Sequence, residues 1–302
     1  MDVLCVGMYR ACSTWQYEVA AHLVERYRTG RRLGFVQSDE YTRGANGAWR
    51  VLKSHEGGPA FRKALGKKRA LAIYAIRDPR DVVYSMLHKR NQDFETFLRQ
   101  GMIHQIFANH RFWMQFPRAH VLLQRYEEIV ADPSRAVGEI AAHLGISLPQ
   151  ASCRALAAEY SFKENKRRTE LTARRMVESG LSLDDPENIV RYDARSLLHW
   201  NHMRDGQIGS WRGIATPREL SILAAIAGPW IVEYGYAERE ELEAVPNATV
   251  EDQWAIAHGW MNCRLRCASL QYPKLSGFIK RRLGLKATFQ ASPIEVPLEQ
   301  AA

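Results

Sequence analysis

Residues 2–15 read DVLCVGMYRACSTW, an apolar run that passes through a short loop into a helical pattern. The run at 2–7 has the length and composition of a buried strand. A tight loop between a strand and a helix directs backbone N–H groups and the positive end of the helix dipole toward one point, which favours an anion such as phosphate. The alternative is an ordinary strand–helix turn in which Ser13 only caps the helix.

Short apolar runs and helical patterns alternate along the first half of the chain. The apolar runs predict strands at 2–7, 33–37, 49–53, 70–76 and 119–125. The patterns between them predict helices at about 13–28, 59–66, 79–90, 94–112 and 132–144. Such alternation predicts an α/β fold of three layers, in which helices cover both faces of a mostly parallel central sheet that carries a P-loop-like phosphate-binding loop.

A second candidate anion site follows the predicted strand at 70–76. Arg77 ends that strand, the Asp78-Pro79 pair marks the start of a helix, and Ser85 lies two turns into it. An arginine presents a planar charged fork and a serine adds a hydroxyl donor, a combination that suits a phosphate. The alternative for Arg77 is a structural salt bridge with the neighbouring aspartate.

The composition limits the classes of partner and compartment. The formal net charge of +9 indicates an anionic partner, which leaves a nucleotide, a nucleic acid and a lipid surface open. The five cysteines are scattered outside any zinc-site spacing, so free thiols in a reducing compartment and no metal are expected. No secretory leader precedes the first strand and no 18-residue apolar stretch is present, so we expect a cytoplasmic protein.

Taken together, the two anion motifs resemble those of the sulfotransferase family that uses 3'-phosphoadenosine-5'-phosphosulfate (PAPS). The loop YRACSTW at 9–15 is similar to the family's 5'-phosphosulfate motif PKSGTTW, and the spacing of Arg77 and Ser85 matches its 3'-phosphate motif. Three further stretches fall in the family's order, namely QRYEEI at 124–129, YSFKEN at 160–165 and MRDGQIGSWR at 203–212. The resemblance covers roughly residues 1–240, the predicted sulfotransferase domain.

This resemblance implies transfer of a sulfuryl group from PAPS to a hydroxyl or amine acceptor, with adenosine 3',5'-bisphosphate (PAP) as the product. It places the 5'-phosphosulfate on the first loop, with Trp15 stacked on the adenine, and the 3'-phosphate on Arg77, Ser85 and Arg204. The donor-binding residues that it implies are Arg10, Ala11, Cys12, Ser13, Thr14, Trp15, Arg77, Ser85, Tyr126, Ser161, Phe162, Arg204, Asp205 and Gly206.

Three of these residues depart from the family's pattern. Arg10 replaces a lysine, which keeps the charge but gives a planar fork in place of a compact ammonium. Cys12 replaces a glycine, so a side chain must fit where the backbone approaches the phosphate. Asp205 stands where the family has a lysine, and because a carboxylate repels a phosphate we expect only its backbone to contribute.

The resemblance also implies the catalytic residues. The stretch LKSHE at 52–56 is similar to the family's Lys-Thr-His segment, which makes His55 the general base and Lys53 a cation near the transferred group. Arg10 is expected to stabilise charge on the leaving oxygen. Glu56 is the alternative base. If the motif is left aside, His55 is interpreted as a surface histidine that follows a strand.

The second half of the chain carries weaker signals. Residues 163–200 are highly charged and weakly periodic, which predicts a mobile segment over the site. Residues 241–302 are predicted to be a basic, helical C-terminal extension. Within it, 260–286 interleaves cations with apolar residues, which predicts either peripheral contact with an anionic membrane or a helix packed on the domain.

The acceptor has no sequence signature, so a small molecule, a lipid and a glycan all stay open. No nucleic-acid recognition motif is present, and no nucleic-acid partner is expected. Two other functions remain as alternatives. A P-loop nucleoside or nucleotide kinase is disfavoured because the loop lacks the Gly-Lys pair that such enzymes use. A non-catalytic, basic, membrane-associated nucleotide-binding protein is the third.

Overall fold

The computed structural model describes residues 1–42, 44, 47–189, 191–201, 203, 206–272 and 293–294. Its centre is a five-stranded sheet in the order β2-β3-β1-β4-β5, and every neighbouring pair is parallel. The strands are β1 (Asp2–Gly7), β2 (Gly30–Phe35), β3 (Trp49–Lys53), β4 (Ala70–Ile76) and β5 (Val121–Arg125). A separate two-residue pair joins β6 (Tyr192–Asp193) to β7 (Pro293–Ile294).

Helices connect the strands and continue beyond the last strand of the main sheet. In the part of the chain described, they are α1 (Ser13–Tyr27), α2 (Pro59–Gly66), α3 (Pro79–Arg90), α4 (Phe94–Arg99), α5 (Met102–Met114), α6 (Tyr126–Ala131), α7 (Pro133–His143), α8 (Gln150–Glu159), α9 (Phe162–Glu178), α10 (Pro217–Glu233), α11 (Arg239–Glu243) and α12 (Val250–Gln271). Two short 3₁₀ turns lie at Pro186–Asn188 and Ser210–Gly213.

Both faces of the sheet are buried, as the uninterrupted apolar run of β1 requires. Leu4 and Val6 pack into a cluster with residues of α2, α3, α5 and α10. Val3 and Cys5 point to the opposite face and pack with residues of α1, α7 and α8. The alternation follows from the two-residue period of a strand. The predicted three-layer α/β fold is confirmed.

Two predicted elements differ from the structure. The single helix predicted at 94–112 is two helices, because Gly101 adopts φ +74 between α4 and α5. A Cβ on Gly101 would overlap the carbonyl oxygen of Gly259 in α12, so the break allows the two backbones to meet. The strand predicted at 33–37 occupies Gly30–Phe35 instead. Its first residues are polar, which an edge strand tolerates, so the apolar pattern did not indicate where it begins.

The first half of the segment 163–200, predicted to be mobile, forms the regular helix α9. The hydroxyl of Ser161 caps this helix by accepting a hydrogen bond from the Glu164 amide, 3.3 Å away. The Glu164 carboxylate then pairs with Arg167 and Arg168 one turn further on. A cap and local ion pairs stabilise a helix that has too few apolar residues for its periodicity to be visible.

The C-terminal extension includes a long helix that packs on α4 and α5. Thr249 and Asp252 form a capping box at the start of α12, and Arg218 of α10 donates to the Asp252 carboxylate at 2.7 Å. One side of α12 is therefore packed on the domain, as the packed-helix alternative predicts, while Trp254 and Trp260 on the same helix are exposed. The predicted membrane segment 260–286 continues into 273–286, which lies outside the described residues. None of the helices described is both long and apolar enough to cross a membrane.

Candidate active site

The loop between β1 and α1 holds two side-chain-bearing residues in the left-handed region, Arg10 at φ 61 and Cys12 at φ 72. Alternating left- and right-handed residues turn successive backbone N–H groups to one side and form a concave anion site. No side chain in the described part of the chain caps the start of α1, so its first amides are left for another acceptor. These features fit the predicted phosphate loop better than an ordinary turn in which Ser13 caps the helix.

Arg10 connects the loop to α3. Its Nε donates a hydrogen bond of 3.0 Å to the Ser85 hydroxyl, which brings two predicted donor-binding residues into contact. Three more of the predicted donor-binding residues are buried, namely Ala11, Ser13 and Thr14. Trp15 is also almost fully buried and packs in the cluster beneath α1, and its stacking on adenine stays a prediction.

Arg77 lies directly after β4 and faces the loop. Its guanidinium donates to the carbonyl oxygen of Arg10 at 3.2 Å and to that of Gln207 at 2.8 Å. The same group stacks over the Tyr126 ring, 4.1 Å from the ring centroid. The Nε atom of Arg77 is buried and has no hydrogen-bond partner among the described residues. A buried arginine donor without an acceptor fits a site that receives an anion.

Asp81 is a structural element of the site that the sequence did not reveal. Its fully buried carboxylate lies 3.5 Å from the Arg77 guanidinium. It accepts hydrogen bonds from the amide of Gly209 at 2.7 Å, the hydroxyl of Ser210 at 3.0 Å and the amide of Trp211 at 3.2 Å. The carboxylate therefore holds the 206–211 segment against the start of α3. Its spacing of four residues from Arg77 was the one available signal.

Three further predicted donor residues lie close together beside Arg77, namely Tyr126, Phe162 and Gly206. The Tyr126 hydroxyl donates to the carbonyl oxygen of Gly206 at 2.8 Å. Gly206 has φ +69, and a Cβ placed there would lie 2.9 Å from the Phe162 ring. Ser161 precedes Phe162 and caps α9. Arg204 and Asp205, predicted beside the 3'-phosphate, lie outside the described residues.

Lys53 and His55 stand at the carboxyl end of β3, next to the end of β1. The Lys53 Nζ lies 3.0 Å from the His55 Nε2, and the His55 Nδ1 lies 3.3 Å from the Gly7 carbonyl oxygen. Because a carbonyl oxygen only accepts, this arrangement places the imidazole proton on Nδ1 and leaves the Nε2 lone pair unprotonated. The third strand end, that of β4, carries Arg77, so the catalytic and donor-binding predictions converge at one edge of the sheet.

The electrostatics of this pair lower the pKa of both groups. Burial and the charge of Lys53 lower the pKa of His55 well below its ordinary value. Burial also lowers the pKa of Lys53 to about 7, and the charge of Arg10 acts in the same direction. Glu56 points toward Tyr9, whose hydroxyl donates to its carboxylate at 3.4 Å, and burial raises the pKa of this carboxyl group.

The comparisons with known proteins agree with this geometry. A family model described as a sulfotransferase domain matches residues 2–230, so the chain belongs to the sulfotransferase family. Sulfotransferase 1A1 of Bos taurus is 29% identical over 132 residues, which cover 39% of this chain and 45% of the relative. Sulfotransferase 1A1 of Mus musculus is 25% identical over 183 residues, covering 55% of this chain and 57% of the relative. The chain thus spans about half the length of the curated relatives it matches.

Solved structures share the fold. A mouse sulfotransferase, SULT7A1, in complex with PAP superposes with a TM-score of 0.53 at 17% identity, covering 81% of this chain and 89% of that one. A retinol dehydratase in complex with retinol and PAP gives a TM-score of 0.55 at 15% identity, covering 76% of this chain and 81% of that one. Among the residues that the structure describes, no group of three His, Cys, Asp or Glu side chains could hold a metal ion.

The left-handed conformation of Cys12 gives a prediction on stability. A residue with a Cβ pays roughly 1–2 kcal/mol to adopt this conformation, whereas glycine does not. Cys12→Gly should therefore have a free energy of unfolding about 1 kcal/mol higher than Cys12→Ala, which loses the same sulfur atom. Urea denaturation of the two variants measures the difference. Ala11, which has no positive φ, is the control: Ala11→Gly should lower stability. Equal stability of the two Cys12 variants would contradict the strain.

Proposed function

We propose that the protein is a PAPS-dependent sulfotransferase that transfers a sulfuryl group to a hydroxyl or amine acceptor. One observation carries the proposal: two anion-binding elements, the left-handed loop and Arg77, are in direct contact through the Arg10 carbonyl oxygen. The His55–Lys53 pair lies at the next strand end. A donor that carries two separate anionic groups and a third group that can be transferred fits this arrangement.

The proposed donor roles follow the contacts. The loop amides at the start of α1, together with Arg10, bind the 5' end, while Arg77 and Ser85 bind the 3'-phosphate. Tyr126, Phe162 and Gly206 form the wall beside Arg77. When bound, PAPS supplies a sulfuryl group attached to a good leaving phosphate. The main tasks of the protein are therefore to position the donor and the acceptor and to neutralise negative charge on the leaving oxygen.

His55 is the proposed general base. As the acceptor atom forms its bond to sulfur and the bond from sulfur to the phosphate oxygen breaks, the acceptor proton passes to the unprotonated Nε2 of His55. The hydrogen bond from Nδ1 to the Gly7 carbonyl oxygen orients the ring and stabilises the protonated form that results. Lys53 and Arg10 offset negative charge on the leaving oxygen. Glu56, whose carboxylate accepts from the Tyr9 hydroxyl, is the alternative base.

A ligand panel separates this function from its two alternatives. PAP should raise the thermal stability of the protein, and AMP, which lacks the 3'-phosphate, should raise it much less. A ligand at one hundred times its dissociation constant adds about 2.7 kcal/mol. A kinase would respond to ATP with magnesium instead, and a non-catalytic membrane-associated protein without a working nucleotide site would respond to neither.

The clamp residue gives a quantitative test. Arg77→Ala should weaken PAP binding by roughly 2–5 kcal/mol, because a buried phosphate charge loses its charged donor. Isothermal titration calorimetry measures this change. Arg111, an exposed arginine on α5, provides the matched control, and Arg111→Ala should bind PAP like the parent protein. PAP affinity that is the same in the Arg77 and Arg111 variants would reject the assignment.

The base assignment predicts both a rate and a pH profile. His55→Ala should lower turnover by roughly 10²–10⁴-fold with little effect on PAP affinity, since the imidazole serves the acceptor side. Because the base acts when neutral and its pKa is lowered, the acid limb of turnover against pH should lie below pH 6.5, the ordinary histidine value. Glu56→Gln should be mild. If Glu56→Gln is inactive and His55→Ala is active, the general base is Glu56 and not His55.

We also propose peripheral contact of the C-terminal extension with an anionic membrane. On α12, Trp254, Trp260 and Met261 are exposed, and the Arg264 guanidinium lies over the Trp260 ring. Aromatic and cationic side chains on one helix suit the interfacial region of a bilayer.

Sedimentation with vesicles tests this contact. Binding to phosphatidylserine vesicles should exceed binding to phosphatidylcholine vesicles and weaken with salt, because the attraction is partly electrostatic. The double variant Trp254→Ser/Trp260→Ser should bind less while PAP affinity is retained. Equal sedimentation of the parent and this variant would exclude the helix as the contact.

A further inference from the structure

Lys89 is a cation that the proposed donor site does not use. It lies four residues after Ser85 on α3, so both side chains share one face of the helix. Ser85 binds Arg10, and Lys89 lies one turn further along. Its charge lowers the pKa of both His55 and His199, so its ammonium group is within electrostatic range of the proposed base. Among the described residues, Lys89 forms no hydrogen bond or ion pair.

A second cation approaches the same region from the C-terminal helix. Arg266 of α12 donates to the Gln100 carbonyl oxygen at 3.2 Å, which fixes it at the α4–α5 junction. The next residue, Cys267, contacts the Gln105 side chain at 3.9 Å, Gln105 donates to Asn109 at 2.9 Å, and Asn109 donates to the Tyr9 hydroxyl at 3.5 Å. The Arg266 charge acts on the same hydroxyl and on the Glu56 carboxylate that it binds. The Tyr9 and His55 rings are 4.8 Å apart, so Tyr9 links Arg266 to the proposed base.

The charges on this side do not balance. Three positive charges interact electrostatically with one another or with the groups around His55, namely those of Lys89, Arg90 and Arg266. The negative charges that offset them are the carboxylates of Glu56 and Asp39. Arg10 and Lys53 add further positive charge at the proposed donor end. Burial and the charges of Arg10 and Lys53 lower the pKa of Lys89 well below its ordinary value. A partly buried cation among other cations raises the free energy of the empty site, and an anion that binds there relieves this repulsion.

We propose that the acceptor carries an anionic group, a carboxylate, phosphate or sulfate, in addition to its reacting hydroxyl or amine, and that Lys89 and Arg266 determine this specificity. The inference rests on the proposed sulfotransferase function. The donor's own anions are assigned to the loop, Arg10, Arg77 and Lys53. Lys89 lies one turn past Ser85 on α3, and its charge acts on His55, the group that takes the acceptor proton. The two cations therefore approach the proposed base from two different helices, α3 and α12.

The test uses acceptors matched in everything except charge. 4-Hydroxyphenylacetate and 4-hydroxyphenylacetamide present the same phenol, and tyramine presents it with a cation. The parent enzyme should use the carboxylate with kcat/KM at least about tenfold above the amide, with tyramine lowest. Lys89→Met and Arg266→Met should each remove most of this preference. Lys89→Arg and Arg266→Lys, which keep the charge, should retain it.

Controls separate a charge effect from a loss of structure. Lys63→Met removes an exposed lysine of α2 and should keep the parent preference. If no phenol is turned over, the same three compounds are titrated into the PAP-saturated protein, and the carboxylate should bind tightest. Equal use or equal binding of the carboxylate and the amide by the parent protein overturns the inference. So does a preference that survives in the Lys89→Met/Arg266→Met double variant.

The outcomes also distinguish this inference from the proposed function. A parent protein that fails to bind PAP contradicts the sulfotransferase proposal itself. A parent protein that binds PAP and shows no preference for the anionic acceptor contradicts the inference alone. A Lys89→Met variant that raises KM for PAPS and leaves the acceptor preference unchanged assigns Lys89 to the donor instead.

Discussion

Arg77 and Asp81 form a buried ion pair at the start of α3, and two loops depend on it. The guanidinium binds carbonyl oxygens of Arg10 and Gln207, and the carboxylate binds amides of Gly209 and Trp211. Loss of either charge would leave the other buried without compensation, which destabilises proteins strongly. The phosphate loop and the 206–211 segment are about two hundred residues apart in the chain, yet this pair fixes them against one helix end.

The site concentrates features that stability alone would disfavour. Arg10 and Cys12 hold left-handed conformations, and Lys53, His55 and Lys89 all have lowered pKa values. Each feature raises the free energy of the folded protein, and strain or like charge of this kind is concentrated at binding sites. An anion that binds here would satisfy loop amides and offset the repulsion, so ligand binding and folding stability should be linked.

Regular elements were predicted best where local pattern and burial agree. β1, β3 and β4 are rich in apolar residues, and their predicted bounds match the structure. α9 was missed because its stability comes from a cap and ion pairs, which leave no apolar periodicity. The break at Gly101 was missed because it depends on the approach of α12, more than 150 residues further along the chain.

The sequence by itself determined the strand–loop–helix start, the position of Arg77 after β4 and the placement of Lys53 and His55 after β3. These are local facts, and in a parallel sheet they bring the strand ends to one edge. Only the tertiary structure decided that Asp81 would hold the 206–211 segment and that α12 would connect to Tyr9 through the side chains of Gln105 and Asn109. Such contacts arise from packing between distant segments, and neither periodicity nor spacing along the chain encodes which side chains will meet.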